Sequence, residues 1–165
     1  MDSRRGIGTR FTLKFPKVDS AIQQVPMSTW RKPTKRARLL IIDDEPNIRQ
    51  LFRNMFPYGE HEITVASNGG QGIDLFRQGE FDVIFTDIGM PGMSGWEVAR
   101  RIRTMDPLIP IIVITGWGHH LDQEKIRSSG IDLVLTKPFQ VGKIFDTIAQ
   151  AIELKARRAR VRSKE

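Results

Sequence analysis

The 165-residue chain has no cysteine and only three histidines, His61, His119 and His120. Without thiols there is no disulfide framework, no thiolate zinc site and no cysteine nucleophile. Three histidines are too few for a His-rich metal centre. No apolar run approaches the ~20 residues that span a bilayer. The opening MDSRRGIGTRF carries arginines but no apolar stretch, so it does not read as a secretory signal. The expectation from these absences is a soluble, cytoplasmic protein. The 39% of hydrophobic residues suffices for one core, and the length suits one domain with flanking segments.

Negative charge is scarce at the ends and concentrated in the middle. Residues 1–38 carry a net +8, residues 155–165 a net +5 and residues 39–154 a net −6, within an overall +7. The basic character therefore belongs to the ends.

Five short apolar runs punctuate the middle: Leu39–Ile42, Ile63–Ala66, Val83–Phe85, Ile111–Ile114 and Leu133–Leu135. Apart from the second they are nearly continuous in Val, Ile, Leu and Phe, as strands buried on both faces of a parallel sheet are. Between them run helical stripes. One holds Ile48, Leu51, Phe52, Met55 and Phe56 behind Pro46, another Val98, Ala99, Ile102 and Met105, and the last Val141, Phe145, Ile148 and Ile152. Weaker helical patterns cover 70–78 and 119–129. Gly69, Gly70 and Gly72 are followed by no lysine, so they mark the entry to a helix and not a phosphate cradle. Strand alternating with helix five times predicts an α/β fold, a (βα)5 doubly wound five-stranded parallel sheet. Residues 16–38, with three prolines and no clear period, read as a linker. Residues 155–164 either extend the last helix or fray from it.

In an open α/β sheet, ligands gather at the carboxyl ends of the strands. Asp43, Asp44 and Glu45 follow the first strand, Asp87 the third, Thr115 and Gly116 the fourth, and Lys137 the fifth. Each has a bland explanation alone. Asp43 or Asp44 suits a helix N-cap, Asp87 a glycine-rich turn, Thr115 a strand end and Lys137 a solvated surface. Together they do not. Carboxylates gathered at one edge repel one another unless compensated. A hard divalent cation offsets that charge, and Mg2+ prefers carboxylates, waters and phosphate oxygens. An ionised aspartate is a nucleophile toward phosphorus. Such a transfer needs mainly positioning and charge neutralisation, from Mg2+, the Lys137 ammonium and the Thr115 hydroxyl. Asp87 is the best nucleophile candidate, because it stands alone on the central strand, opposite both the acidic pair and the lysine.

These residues resemble a family. LLIIDDEP (39–46), DVIFTDIGMPGMSG (82–95), PIIVITG (110–116) and LVLTKPF (133–139) are similar to the receiver domain of two-component response regulators, over residues 38–153. The intervals fit as well: 43 residues from Asp44 to Asp87, 28 more to Thr115 and 22 more to Lys137. The resemblance implies the flavodoxin-like strand order 2-1-3-4-5. It implies that Asp87 accepts a phosphoryl group from a histidine kinase or histidine phosphotransfer domain. Asp43, Asp44, Asp87 and the backbone carbonyl of Gly89 would hold Mg2+. Thr115 and Lys137 would contact the phosphoryl oxygens, and the Lys137–Pro138 bond would be cis. Where the family often carries a switch Tyr or Phe, this chain has Val134, which predicts a smaller rearrangement of the face made by the fourth helix, fifth strand and fifth helix. Trp117, two residues beyond Thr115, stands where water access to the phosphoryl group is set, or is an exposed loop aromatic.

GIGTRFTLKFP (6–16) is similar to the end of a histidine-kinase ATPase domain, on Gly6, Gly8, Thr9, Phe11, Leu13 and Pro16. That order, remnant then linker then receiver, is the order of hybrid histidine kinases. The motifs that bind ATP are missing, so no ATP binding and no free-standing enzyme activity are expected, only phosphoryl acceptance and loss at Asp87. The division expected is a disordered remnant over 1–17, a linker over 18–37, a receiver over 38–154 and a basic tail over 155–165. Competing readings fare less well. A nucleic-acid-binding or scaffolding module would use Arg157, Arg158, Arg160 and Arg162, but no aromatics interleave them. A phosphatase of the haloacid-dehalogenase type needs a second Asp where this chain has Gly89. His119 and His120 lack a third ligand and read as ordinary surface.

Overall fold

The computed structural model describes residues 2–4, 8–10, 12, 36–56, 60–116 and 123–163. Strands β1 (Asp2–Arg4) and β2 (Gly8–Arg10) come first. The main body then alternates β3 (Arg38–Ile42), α1 (Pro46–Met55), β4 (Glu62–Ala66), α2 (Gly69–Gln78), β5 (Val83–Asp87), α3 (Gly95–Met105), β6 (Ile111–Thr115), α4 (Gln123–Ser128), β7 (Leu133–Thr136) and α5 (Val141–Arg162). Strands β3 to β7 form one parallel sheet in the order β4-β3-β5-β6-β7. This is the doubly wound (βα)5 flavodoxin-like sheet expected, with its strands in the order 2-1-3-4-5.

Successive strand residues point to opposite faces, so each continuous apolar run feeds two cores. Leu40, Ile42, Ile84, Ile111 and Val113 pack with Ile73, Val98, Ile102 and Ile126 from α2, α3 and α4. Leu39, Ile41, Val83, Phe85, Ile112 and Ile114 pack with Phe52 of α1 and Ile144, Ile148 and Ala151 of α5. Each buried Ile or Leu side chain is worth roughly 1.5–3 kcal/mol of transfer free energy, so these two layers fix the register of the sheet.

Local chemistry sets the helix starts. Asn68 caps α2, its Oδ1 accepting from the Gln71 N–H at 2.9 Å. Ser94 and Glu97 form a reciprocal capping box at α3. Such caps contribute about 1 kcal/mol each. Gly69, Gly70 and Gly72 do mark the entry to α2. An added Cβ on Gly72 would lie 2.8 Å from Ile42 Cγ1, so α2 rests on β3 with no room for a side chain there.

Within residues 1–17, Asp2–Arg4 pairs antiparallel with Gly8–Arg10. Only three residues of sequence separate the two strands, so little loop entropy opposes the pairing. Of the two expectations for the basic residues 155–164, extension of the last helix is what the structure has: α5 continues unbroken to Arg162. Ion pairs fasten its end to the body. Lys155 Nζ lies 2.8 Å from Asp82 Oδ1, and Arg158 engages Asp132. The weak pattern over 119–129 is helical over Gln123–Ser128.

Candidate functional site

The parallel sheet brings the carboxyl ends of β3, β5, β6 and β7 to one edge, and the candidate residues lie on it. Asp43 follows β3 directly and is fully buried, and Asp87, the last residue of β5, is buried too. Thr115 ends β6 and is buried beside it. Asp87 pairs in register with Ile114, so Thr115 lies one residue further along the neighbouring strand. Lys137 follows β7, and its N–H donates to the Thr115 carbonyl at 2.7 Å. The Lys137–Pro138 bond is cis.

Lys137 closes the site. Its ammonium donates to Glu45 Oε1 at 2.7 Å, Asp87 Oδ1 at 3.0 Å and Asp43 Oδ2 at 3.3 Å. The other oxygen of Asp87 accepts the Gly89 N–H at 2.6 Å. The other oxygen of Asp43 accepts the Glu45 N–H at 2.8 Å. Arg49 Nη1 donates to the carbonyls of Asp43 and Asp44 at 2.7 and 2.8 Å, bracing the turn from β3 into α1. Among the described residues other than its chain neighbours, a Cβ on Gly116 would meet nothing within 4 Å.

The charges do not balance. One carboxylate oxygen from each of Asp43, Glu45 and Asp87 lies within 4.8 Å of the others, against a single ammonium. Burial pushes the Asp43 carboxyl up to about 6. The Glu45 N–H and Lys137 pull it down, and the Asp87 charge raises it. Burial pulls the Lys137 ammonium down, but bonds to Glu45 and Asp87 and the charge of Asp43 outweigh it and hold the group above its ordinary value. The residual negative charge and the all-oxygen donor set fit a hard divalent cation.

Asp43, Asp87 and Lys137 thus converge as the sequence suggested, with Gly89 and Thr115 beside them. Asp44 does not join them: its side chain is exposed and lies outside the carboxylate cluster. Glu45 joins instead. Sequence reading placed Glu45 after the strand but gave it no role; its place at the N-cap of α1, level with the strand end, was the available signal. Val134 lies beside Val113 in register and packs, half-buried, on the core under α3 and α4. Trp117, His119 and His120 lie outside the described residues. An apolar cleft of about 420 Å³, lined by Ile48, Lys137, Pro138 and Phe139, opens next to the site.

Comparison with known proteins agrees with this geometry. A family model described as the response regulator receiver domain matches residues 39–149. The polar-differentiation response regulator DivK of Brucella anthropi is 32% identical over 67% of this chain and 91% of its own length. The sensor protein EvgS of Escherichia coli is 28% identical over 91% of this chain. The response regulator TrrA of Thermotoga maritima, solved in complex with Mg2+ and BeF, is 32% identical, with a TM-score of 0.63 over 69% of this chain and 97% of that one. The chain spans only part of its longer relatives: 52% of one transcriptional regulatory protein and 13% of EvgS.

Proposed function

The chain belongs to the response regulator receiver domain family of two-component signalling, and from that premise we propose that it is a phosphorylation switch whose phosphoacceptor is Asp87. The observation that supports this best is the reach of Lys137, just beyond the last strand, to Asp87 at the end of the central one, at 3.0 Å. The donor is a phosphohistidine on a histidine kinase or phosphotransfer domain. An Asp87 carboxylate oxygen attacks phosphorus. The O–P bond forms as the P–N bond breaks, and the bonding pair leaves with the imidazole nitrogen. Loss follows when a water oxygen attacks the same phosphorus and the Asp87 carboxylate departs, releasing inorganic phosphate.

The chain supplies positioning for both steps. The Gly89 N–H and the Lys137 ammonium orient the two oxygens of Asp87. Lys137 offsets phosphoryl charge, and the Thr115 hydroxyl donates to a phosphoryl oxygen. Asp43, Asp87 and the Gly89 carbonyl would hold Mg2+. Asp44, exposed beside them, would complete that set. When bound, Mg2+ neutralises the oxygen charge that otherwise repels the incoming group.

Output is a shift between two conformations that changes which partner binds. Val134 in place of an aromatic makes that shift small on the α4–β7–α5 face. The alignment with EvgS runs beyond residues 39–149. That supports a hybrid-kinase origin, with residues 1–17 the end of an ATPase domain that binds no ATP here.

Intact mass after treatment with acetyl phosphate and Mg2+ tests the reading. Wild type gains about 80 Da, one phosphoryl group, and Asp87→Asn gains nothing. An equal gain in both proteins refutes it.

A further inference from the structure

Lys137 has no donor to spare. An ammonium carries three N–H groups and no more, and three carboxylates take them, at 2.7 Å for Glu45, 3.0 Å for Asp87 and 3.3 Å for Asp43. The shortest contact is to the residue nearest the rim. The Glu45 side chain is 57% exposed, against 12% for Asp87 and 0% for Asp43.

The main chain beneath Glu45 is fixed. Its N–H donates to Asp43 Oδ1 at 2.8 Å, Pro46 follows with its restricted φ, and Arg49 holds the two preceding carbonyls. The side chain is the exposed part of the residue. Its oxygen lies within 4.8 Å of an oxygen of Asp87. A phosphoryl group on Asp87 would bring close to two negative charges and new acceptor oxygens to this spot. It would need the ammonium that Glu45 holds, and it would face the Glu45 carboxylate at close range.

We propose that Glu45 is a positioning residue that tethers Lys137 in the unphosphorylated protein and competes with the phosphoryl group for it, slowing acceptance at Asp87 and weakening the phosphorylated state. The proposal rests on Asp87 being the phosphoacceptor. It assigns Glu45 to the lysine and not to the metal, although its oxygen lies in the same carboxylate cluster.

Glu45→Gln keeps the length and an acceptor oxygen while removing the charge. The test follows the initial rate of the mass gain from acetyl phosphate, in which the O–P bond to Asp87 forms as the acetyl phosphate P–O bond breaks and acetate leaves. It also measures the affinity for beryllofluoride with Mg2+. For a partly exposed ion pair the expected gain is about threefold in both, at low salt, shrinking as salt screens the contact. In a Lys137→Ala background the gain from Glu45→Gln falls to less than half, the mark of action through the lysine. Affinity for Mg2+ alone, measured by calorimetry, changes by less than about threefold.

A slower Glu45→Gln with weakened Mg2+ binding makes Glu45 a metal ligand and overturns the proposal. An undiminished gain in the Lys137→Ala background overturns it too, since direct repulsion then explains everything. If wild type gains phosphoryl on Asp87 and Glu45→Gln is no faster, the tether alone fails. If wild type gains no mass, the reading of Asp87 fails and the tether falls with it.

Discussion

Gly95 is pressed against the main chain of Asp87. An added Cβ would lie 2.9 Å from the Asp87 carbonyl carbon and closer still to its oxygen, while the Gly95 N–H donates to the Ile88 carbonyl at 3.3 Å. The start of α3 is therefore seated directly on the strand end that carries the proposed phosphoacceptor. Gly95→Ala must push the helix away or move Asp87. The expected cost is about 1–3 kcal/mol of stability by urea unfolding, with a slower mass gain from acetyl phosphate. A variant of unchanged stability and rate would show that this contact positions nothing.

Asp132 holds two guanidiniums at the other end of the sheet. Its nearly buried carboxylate accepts from Arg103 Nη2 at 2.7 Å, from both terminal nitrogens of Arg158, and from the Ile111 N–H at 2.9 Å. Asp132→Ala leaves these donors without their acceptor and should cost about 3 kcal/mol in urea unfolding. Arg158→Ala removes a more exposed partner and should cost about 1 kcal/mol or less. Equal costs would mean that the carboxylate is not the hub.

His61 gives stability a pH dependence of known sign. It is buried, its Nδ1 accepts the Ala37 N–H at 3.1 Å, and its Nε2 has no hydrogen-bond partner among the described residues. Burial holds the imidazole below its ordinary 6.5, although the charges of Glu60 and Asp82 and the Ala37 contact raise it. The unfolded chain thus takes up a proton near pH 6.5 while the folded chain resists. Stability from this group is complete above pH 6.5, falls as pH drops below it, and levels once the folded imidazole protonates. The slope is at most about 1.4 kcal/mol per pH unit. Asp43, raised to about 6, acts with the opposite sign, so the comparison is with His61→Gln, in which Asp43 is unchanged. Urea unfolding at pH 7.5, 6.5 and 5.5 should show wild type losing its margin over the variant as pH falls. Parallel curves would contradict the assignment.

The fold was legible because its strands are buried on both faces and are therefore unusually apolar. Leu39–Ile42 and Ile111–Ile114 announce themselves where an alternating surface strand would not. The short helix Gln123–Ser128 was faint, having few apolar positions of its own. Asp43, Asp87 and Lys137 were legible from their places after strands, which topology carries to one edge. Asp44 and Glu45 were not separable that way. Neighbours in sequence point in different directions, and which carboxylate meets Lys137 depends on the turn that Arg49 and Pro46 fix.

Val134 makes a prediction about switching. It sits beside Val113, half-buried against an aliphatic core, with no ring to swing. Structures with and without beryllofluoride should differ on the α4–β7–α5 face by small helix shifts and not by the flip of a large side chain. An aromatic side chain from elsewhere moving into the space above Thr115 would contradict this.

The most direct test locates the phosphoryl group. Borohydride reduces an aspartyl phosphate to homoserine, so peptide mass spectrometry after acetyl phosphate, Mg2+ and borohydride marks the acceptor. The account predicts homoserine at position 87 alone, abolished in Asp87→Asn. Homoserine at position 43 or 44, or none at any position in a protein that has gained phosphoryl mass, would contradict it.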